Sequence, residues 1–182
     1  AAGRPAELGE AIGAFVRRVS EGVAPEHLDE RARFNLMAFL DEQREAMPTL
    51  PTDRTLVVER FHDELGDWRV VLHSPYGRRV HAPWALVVAA RVLDRYGVDG
   101  SVVATDDGIV ARIPDTSSPW APDGPGGGSG PWADDSTADG NGTEVPGADL
   151  FVLDVDDLER VVTAEVGGSA LFASRFRECA AR

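Results

Sequence analysis

The stretch LVVERFHDELGDWRVVLHSPYGRRVHAPWAL, residues 56–86, decides how the rest of the chain reads. Thr55 to Phe61 is short and rich in Leu and Val, Asp63-Glu64-Leu65-Gly66-Asp67 interrupts it, and Trp68 to Leu72 resumes it. Two β-prone runs around a polar, Gly-containing break predict a β-hairpin. Ser74-Pro75-Tyr76-Gly77 is a turn signal. Pro83 suits the opening of a helix and Gly97 its end, so a helix is expected from about Ala82 to Tyr96. Ser101 to Ala104 and Ile109 to Ile113 then flank Asp106-Asp107-Gly108, which predicts a second hairpin with glycine at its turn.

Upstream, Leu8, Ile12, Phe15, Val16 and Val19 recur at helical spacing after Pro5. A second amphipathic run covers about Asp29 to Met47, with Leu36, Phe39, Leu40 and Met47 as its apolar face, and Pro48 and Pro51 end it. Downstream, residues 115–147 differ in kind: 13 of these 33 positions are Gly or Pro, six are acidic and none is basic. Such a segment cannot bury enough apolar surface to offset its ordering entropy, so it is expected to be a disordered acidic insertion. Leu150 to Leu153 reads as a strand, Asp156 to Val166 as a helix stopped by Gly167-Gly168, and Ser169 onward as a last helix with Leu171, Phe172 and Phe176 on one face. The expected fold class is α+β, antiparallel hairpins packed against several helices. Residues 1–114 and 148–182 form one module: helical over 1–50, hairpin-helix-hairpin over 54–114, and a strand plus two helices over 148–182.

The 182 residues are 43% hydrophobic and 27% charged, ordinary globular proportions. No apolar run reaches membrane-span length and no basic-plus-apolar leader opens the chain, which points to a cytoplasmic location. A single cysteine, Cys179, excludes an internal disulfide and a cysteine-based zinc cage. The net charge of −13 opposes non-specific nucleic-acid binding by the whole module. That charge is uneven. Asp115 to Glu159 carries 11 acids and no base, whereas Trp68 to Arg95 carries five Arg against Asp94 alone.

Catalytic motifs are sparse. A phosphate-cradling loop with its lysine is impossible, because all 18 basic residues are Arg. Gly126-Gly127-Gly128 lies among prolines and acids rather than between a strand and a helix. Gly167-Gly168-Ser169 lacks the closing glycine of a nucleophile elbow, position 171 being Leu, and reads as a helix stop and N-cap. Asp154, Asp156 and Asp157 suggest a calcium loop, yet Glu159 stands where the loop needs glycine. His73 and His81 straddle a turn without a nearby third ligand, so no metal site is expected. Cys179 has no identifiable base and fits a packed helix face better than a catalytic thiol. His62-Asp63-Glu64-Leu65 is internal and so is no retention signal, and the sequon at Asn141 stands alone. No catalytic residue is assigned.

One surface carries binding chemistry. At 100° per residue, Trp84, Val88, Arg91 and Arg95 share one side of the predicted helix, and Leu86, Ala90 and Leu93 make a buried stripe opposite. Arg78 and Arg79 come from the turn just before. A large aromatic beside guanidinium groups can stack a base and hold phosphates. Equally, Trp84 can close the core while the arginines are merely solvated, which periodicity alone favours.

Two stretches, residues 56–86 and EVGGSALFASRFRECAAR (165–182), resemble the large helicase-related (Lhr) family of bacterial superfamily 2 helicases. RYGVDG (95–100), DDGIVARIPDT (106–116) and PAELGEAIGAFVRR (5–18) fit the same pattern, so the resemblance covers nearly everything outside 115–147. It implies a multidomain motor of two RecA-like domains and a winged helix, followed by a family-specific module of which this chain looks like a part. The missing initiator Met and the end on a charged helix fit an excised segment. The family resemblance further implies a parent dependent on ATP and Mg²⁺, moving 3′ to 5′ on single-stranded DNA, unwinding DNA and RNA:DNA duplexes, and acting in DNA repair. The family's strand-stacking Trp belongs upstream of residue 1, so that role is not carried over to Trp84.

The expectation is a non-catalytic accessory module that helps form the single-stranded DNA path, with Arg78, Arg79, Arg91 and Arg95 near phosphates and Trp84 against a base. No cofactor is expected in this segment. The alternative is a structural or protein-interaction module that braces the motor or docks its C-terminal region without touching DNA. Trp120 and Trp132, each preceded by Pro, are then incidental aromatics or partner anchors.

Overall fold

The computed structural model describes residues 3–114 and 145–181. The bulk of the expected insertion, 115–144, lies outside them, and Trp120 and Trp132 with it. The element order is α1 (Ala6–Ser20), α2 (Glu30–Ala46), β1 (Val57–His62), β2 (Trp68–His73), α3 (Arg78–Tyr96), β3 (Ser101–Ala104), β4 (Gly108–Ile113), a 3-10 turn (Ala148–Leu150), α4 (Leu158–Gly168) and α5 (Ala170–Ala180). The α+β class and both hairpins are borne out.

The hairpins fuse into one antiparallel sheet of order β1-β2-β4-β3. β2 and β4 pair from Trp68↔Ile113 to His73↔Gly108. Gly108 is required there: its φ is +149°, and a Cβ would stand 1.8 Å from the Leu72 carbonyl oxygen. Strand alternation sends Val70, Leu72, Ile109, Ala111 and Ile113 to one face, where they bury against Ala85, Val88 and Val92 of α3 and against Leu150 and Phe151. The opposite face mixes apolar side chains such as Phe61 and Val103 with charged ones, Arg69 donating to Asp63 at 2.9 Å and Arg112 to Asp67 at 2.7 Å. Asp63 also accepts from the backbone N–H groups of Leu65 and Asp67, which shapes the β1–β2 turn.

α1 is held to this body by two glycines. A Cβ at Gly9 would meet the Pro75 carbonyl oxygen at 2.0 Å, and one at Gly13 the Asp53 nitrogen at 2.4 Å. Only hydrogen at these positions, one turn apart, lets the helix lie on the 52–53 and 75–76 backbones. Arg17 then closes a two-pronged pair on Asp53 at 2.8 and 3.1 Å, and the Tyr76 hydroxyl donates to the Asp53 carbonyl.

Four expectations need correction. α3 starts at Arg78 rather than Ala82, leaving Pro83 inside it and removing the rung to the Arg79 carbonyl. Its sides are also exchanged: Val88 is fully buried and Leu93 is 55% exposed, because the sheet and the 148–151 segment flank the side assigned to solvent. Residues 150–153 form no strand; the Leu150 and Phe151 N–H groups donate to the Gly147 and Ala148 carbonyls, and a 3-10 turn drops both side chains into the core. The last two helices do not complete that core. α4 rests on α3 with no buried residue, and every α5 side chain described is exposed. Ser169 separates them, accepting from the Phe172 N–H at 3.1 Å as an N-cap while its hydroxyl donates to Val166.

Candidate functional site

Helix α3 carries all five residues singled out in the sequence, and its two ends differ. Beyond the first turn, Trp84 is half-buried, donates its indole N–H to the Phe151 carbonyl at 3.1 Å and meets the Phe151 ring edge-on at 6.4 Å. Arg91 reaches the carbonyls of Asp149 (3.2 Å), Leu150 (3.1 Å) and Val152. Arg95 pairs with the Asp149 carboxylate. Desolvation, and then the neighbouring Arg95 charge, lowers the Arg91 pKa without threatening its charge at neutral pH. These three side chains strap residues 149–152 onto α3: the carbonyl oxygens left exposed by a 3-10 turn have no intrahelical partners, and a guanidinium supplies them.

The N-terminal end is open. Gly77 precedes α3 without a capping side chain, and the missing cap comes from a different loop. The Asp106 carboxylate accepts from the Arg78 N–H at 2.9 Å and from the Arg4 N–H at 2.8 Å. Those two backbone donors, aided by the positive charges of Arg4 and Arg78, hold the Asp106 pKa below the usual carboxylate range. The side chains of Arg78 and Arg79 are exposed, and neither makes an ion pair among the described residues. Two exposed cations thus stand beside a helix start whose first N–H, that of Arg78, is already engaged by Asp106.

The histidines do not converge on a common ligand. His81 is fully buried; its Nδ1–H donates to the Thr105 carbonyl at 2.7 Å, which leaves Nε2 to accept from the Ser74 hydroxyl at 2.8 Å. His73 instead takes the Glu59 carboxylate at 2.8 Å. Among the described residues no group of three or more His, Cys, Asp or Glu could hold a metal ion. Cys179 is exposed rather than packed. No described helix is long and apolar enough to cross a membrane.

Sequence reasoning missed Asp106, Asp149, Arg4 and Phe151, the partners that decide which α3 arginines are available. Asp106 was legible only as a turn residue, since its role depends on a contact 28 positions away. Phe151 and Asp149 lie more than 50 positions from their α3 partners, beyond any local pattern.

The site is thus a helix-borne set of four arginines and Trp84 on an α+β module. The chain belongs to the DEAD/H associated family, whose model matches residues 50–182. It is 51% identical to a Lhr helicase/probable uracil glycosylase of Mycolicibacterium smegmatis and 46% identical to a Lhr helicase/uracil glycosylase of Escherichia coli. Each match covers 99% of this chain, which spans only 11% and 10% of those relatives. A solved structure of Mycobacterium smegmatis helicase Lhr bound to ssDNA and AMP-PNP superposes with a TM-score of 0.71 at 49% identity, over 98% of this chain and 20% of that one. The resemblance read from the sequence is borne out, and it extends through α1 and α2.

Proposed function

We propose that this chain is a non-catalytic accessory module of an ATP-dependent 3′–5′ DNA helicase, and that it lines part of the single-stranded DNA path. Support comes from the family match, from the ssDNA held by the M. smegmatis relative, and above all from Arg78 and Arg79, exposed and without ion pairs among the described residues. Phosphates are the partners suited to such side chains, since backbone contacts position a strand without reading its sequence. In this reading ATP and Mg²⁺ are held by other parts of a longer polypeptide, and the superfamily 2 motor, RNA:DNA unwinding, action in DNA repair and a cytoplasmic location follow the parent. The R78E/R79E variant of the complete helicase tests it: unwinding and ssDNA affinity should fall while ATP binding stays unchanged. Undiminished unwinding would remove the DNA-path claim.

The structural alternative has its own observation. Trp84, Arg91 and Arg95 already spend their polar groups on residues 149–152, which is what a brace requires and a stacking platform does not. The proposal therefore divides the helix: Arg78 and Arg79 toward the strand, Trp84, Arg91 and Arg95 toward the scaffold.

A further inference from the structure

We infer that Asp106 is a positioning residue for Arg78 and Arg79: by fixing the first turn of α3 from the β3–β4 turn, it sets where the two guanidinium groups meet a nucleic-acid strand. The inference rests on the reading of those arginines as phosphate contacts, and adds to it the group that aims them. Arg78 and Arg79 are the first two residues of α3, after Gly77, which has no side chain to cap the helix. Left to itself a helix frays from such an end, and two exposed arginines there lose their direction together with their backbone. Three groups outside the helix oppose that. One oxygen of Asp106, Oδ1, accepts from the Arg78 N–H at 2.9 Å and from the Arg4 N–H at 2.8 Å. The Thr105 carbonyl accepts from the Nδ1–H of His81 at 2.7 Å, so the β3–β4 turn grips α3 at positions 78 and 81, about one helical turn apart. The Ser74 hydroxyl donates to the other ring nitrogen of His81 at 2.8 Å.

Arg4 closes the arrangement. Its guanidinium reaches the Asp107 carboxylate at 2.9 Å and the Pro75 and Asp106 carbonyls at 3.3 Å. The fit is close: a Cβ at Gly3 would stand 2.9 Å from Asp106 Oδ1 and 3.1 Å from the Arg78 Cβ, and one at Gly77 2.3 Å from the Arg4 carbonyl oxygen. Arg4 thus directs its charge at the turn, while Arg78 and Arg79 stay exposed and outside any ion pair among the described residues. Asp106 acts through geometry rather than charge. Its carboxylate repels a phosphate, but both of its hydrogen bonds converge on a single oxygen, which the side chain of Asn also offers. What the strand meets is a pair of arginines whose backbone is ordered before it arrives, so less conformational freedom is lost on binding.

A double-mutant cycle on the single-stranded DNA affinity of the complete polypeptide tests it. Asp106→Ala should weaken binding about five-fold, and Asp106→Asn, which keeps the shared acceptor, should bind within about two-fold of wild type. In R78A/R79A, itself weakened, adding Asp106→Ala should change nothing further. Ser169→Ala removes the N-cap of α5 on the same module, controls for lost stability, and should bind like wild type. Equal weakening by Ser169→Ala would overturn the positioning role, and so would Asp106→Asn binding as weakly as Asp106→Ala. The two readings fail differently. If R78A/R79A binds like wild type, the DNA-path reading and the inference fall together. If R78A/R79A binds weakly while Asp106→Ala binds normally, or weakens R78A/R79A as much as it weakens wild type, the inference alone is overturned.

Discussion

The indole N–H of Trp84 donates to the carbonyl of Phe151 at 3.1 Å, and the two rings meet edge to face. An aromatic that looks in sequence like a platform for a base is thereby tied to the segment that returns from the acidic insertion. Trp84→Phe should keep most of the packing and lose about 1 kcal/mol of stability through the orphaned carbonyl. Trp84→Ala should cost more, about 3 kcal/mol, the low end for removing a large aromatic from a half-buried site. Urea denaturation of the two variants checks the order; equal, negligible losses would return Trp84 to the list of ligand-facing residues.

Asp106 ties the β3–β4 turn to the start of α3, and its consequence is a pH dependence. Its pKa is lowered in the fold by the Arg78 and Arg4 N–H groups, so its stabilisation is complete above the unfolded value near 3.9 and is lost as pH falls through the folded value. Asp53 shifts the same way, chiefly through its hydrogen bonds from Arg17. In Asp63, burial pushes the pKa up, but the Leu65 N–H, Arg69 and the Asp67 N–H together outweigh it. Stability should therefore be flat above about pH 5 and decline below about pH 4. Asp106→Asn should flatten that decline and lower stability at pH 7. A denaturation series from pH 7 to pH 3 on both proteins measures it, and an unchanged acid limb in Asp106→Asn would refute the capping role.

The glycine contacts of α1 give a third expectation. Gly9→Ala and Gly13→Ala each place a methyl group against backbone that has no side chain to yield, so each should cost about 1–3 kcal/mol, despite alanine's better helix propensity. Hydrogen exchange should quicken selectively in α1 and around Asp53, because displacing the helix breaks the Arg17 pair. Stabilisation by either substitution would mean that α1 does not lie where it is described.

Much of the fold was readable from local pattern. The β1–β2 and β3–β4 hairpins follow from alternating apolar runs around Asp63–Asp67 and Asp106–Gly108, and α1 and α2 from helical spacing. What failed was the orientation of α3. Its apolar residues are spread around the helix, and only the sheet on one side and the 149–151 segment on the other make Val88 core and Leu93 surface. Leu150 and Phe151 misled for a related reason: a short apolar pair has no period of its own, and burial in a 3-10 turn looks like a strand. Trp84, Arg91 and Arg95 were placed on the helix correctly, whereas Arg78 and Arg79 were assigned to the turn before it and instead open it; nor could the sequence distinguish those two, open to solvent, from Arg91 and Arg95, whose partners lie more than 50 residues away.

The division of α3 into a strand-facing end and a scaffold end is tested most directly by single-stranded DNA affinity of the complete polypeptide at two salt concentrations, in wild type, R78E/R79E and W84F. If Arg78 and Arg79 each neutralise a phosphate, the slope of log affinity against log salt should shrink by about 1.4, from ~0.7 per contact, with weaker binding in R78E/R79E. W84F should match wild type in both affinity and slope. Unchanged binding in R78E/R79E, or a loss confined to W84F, would contradict the account.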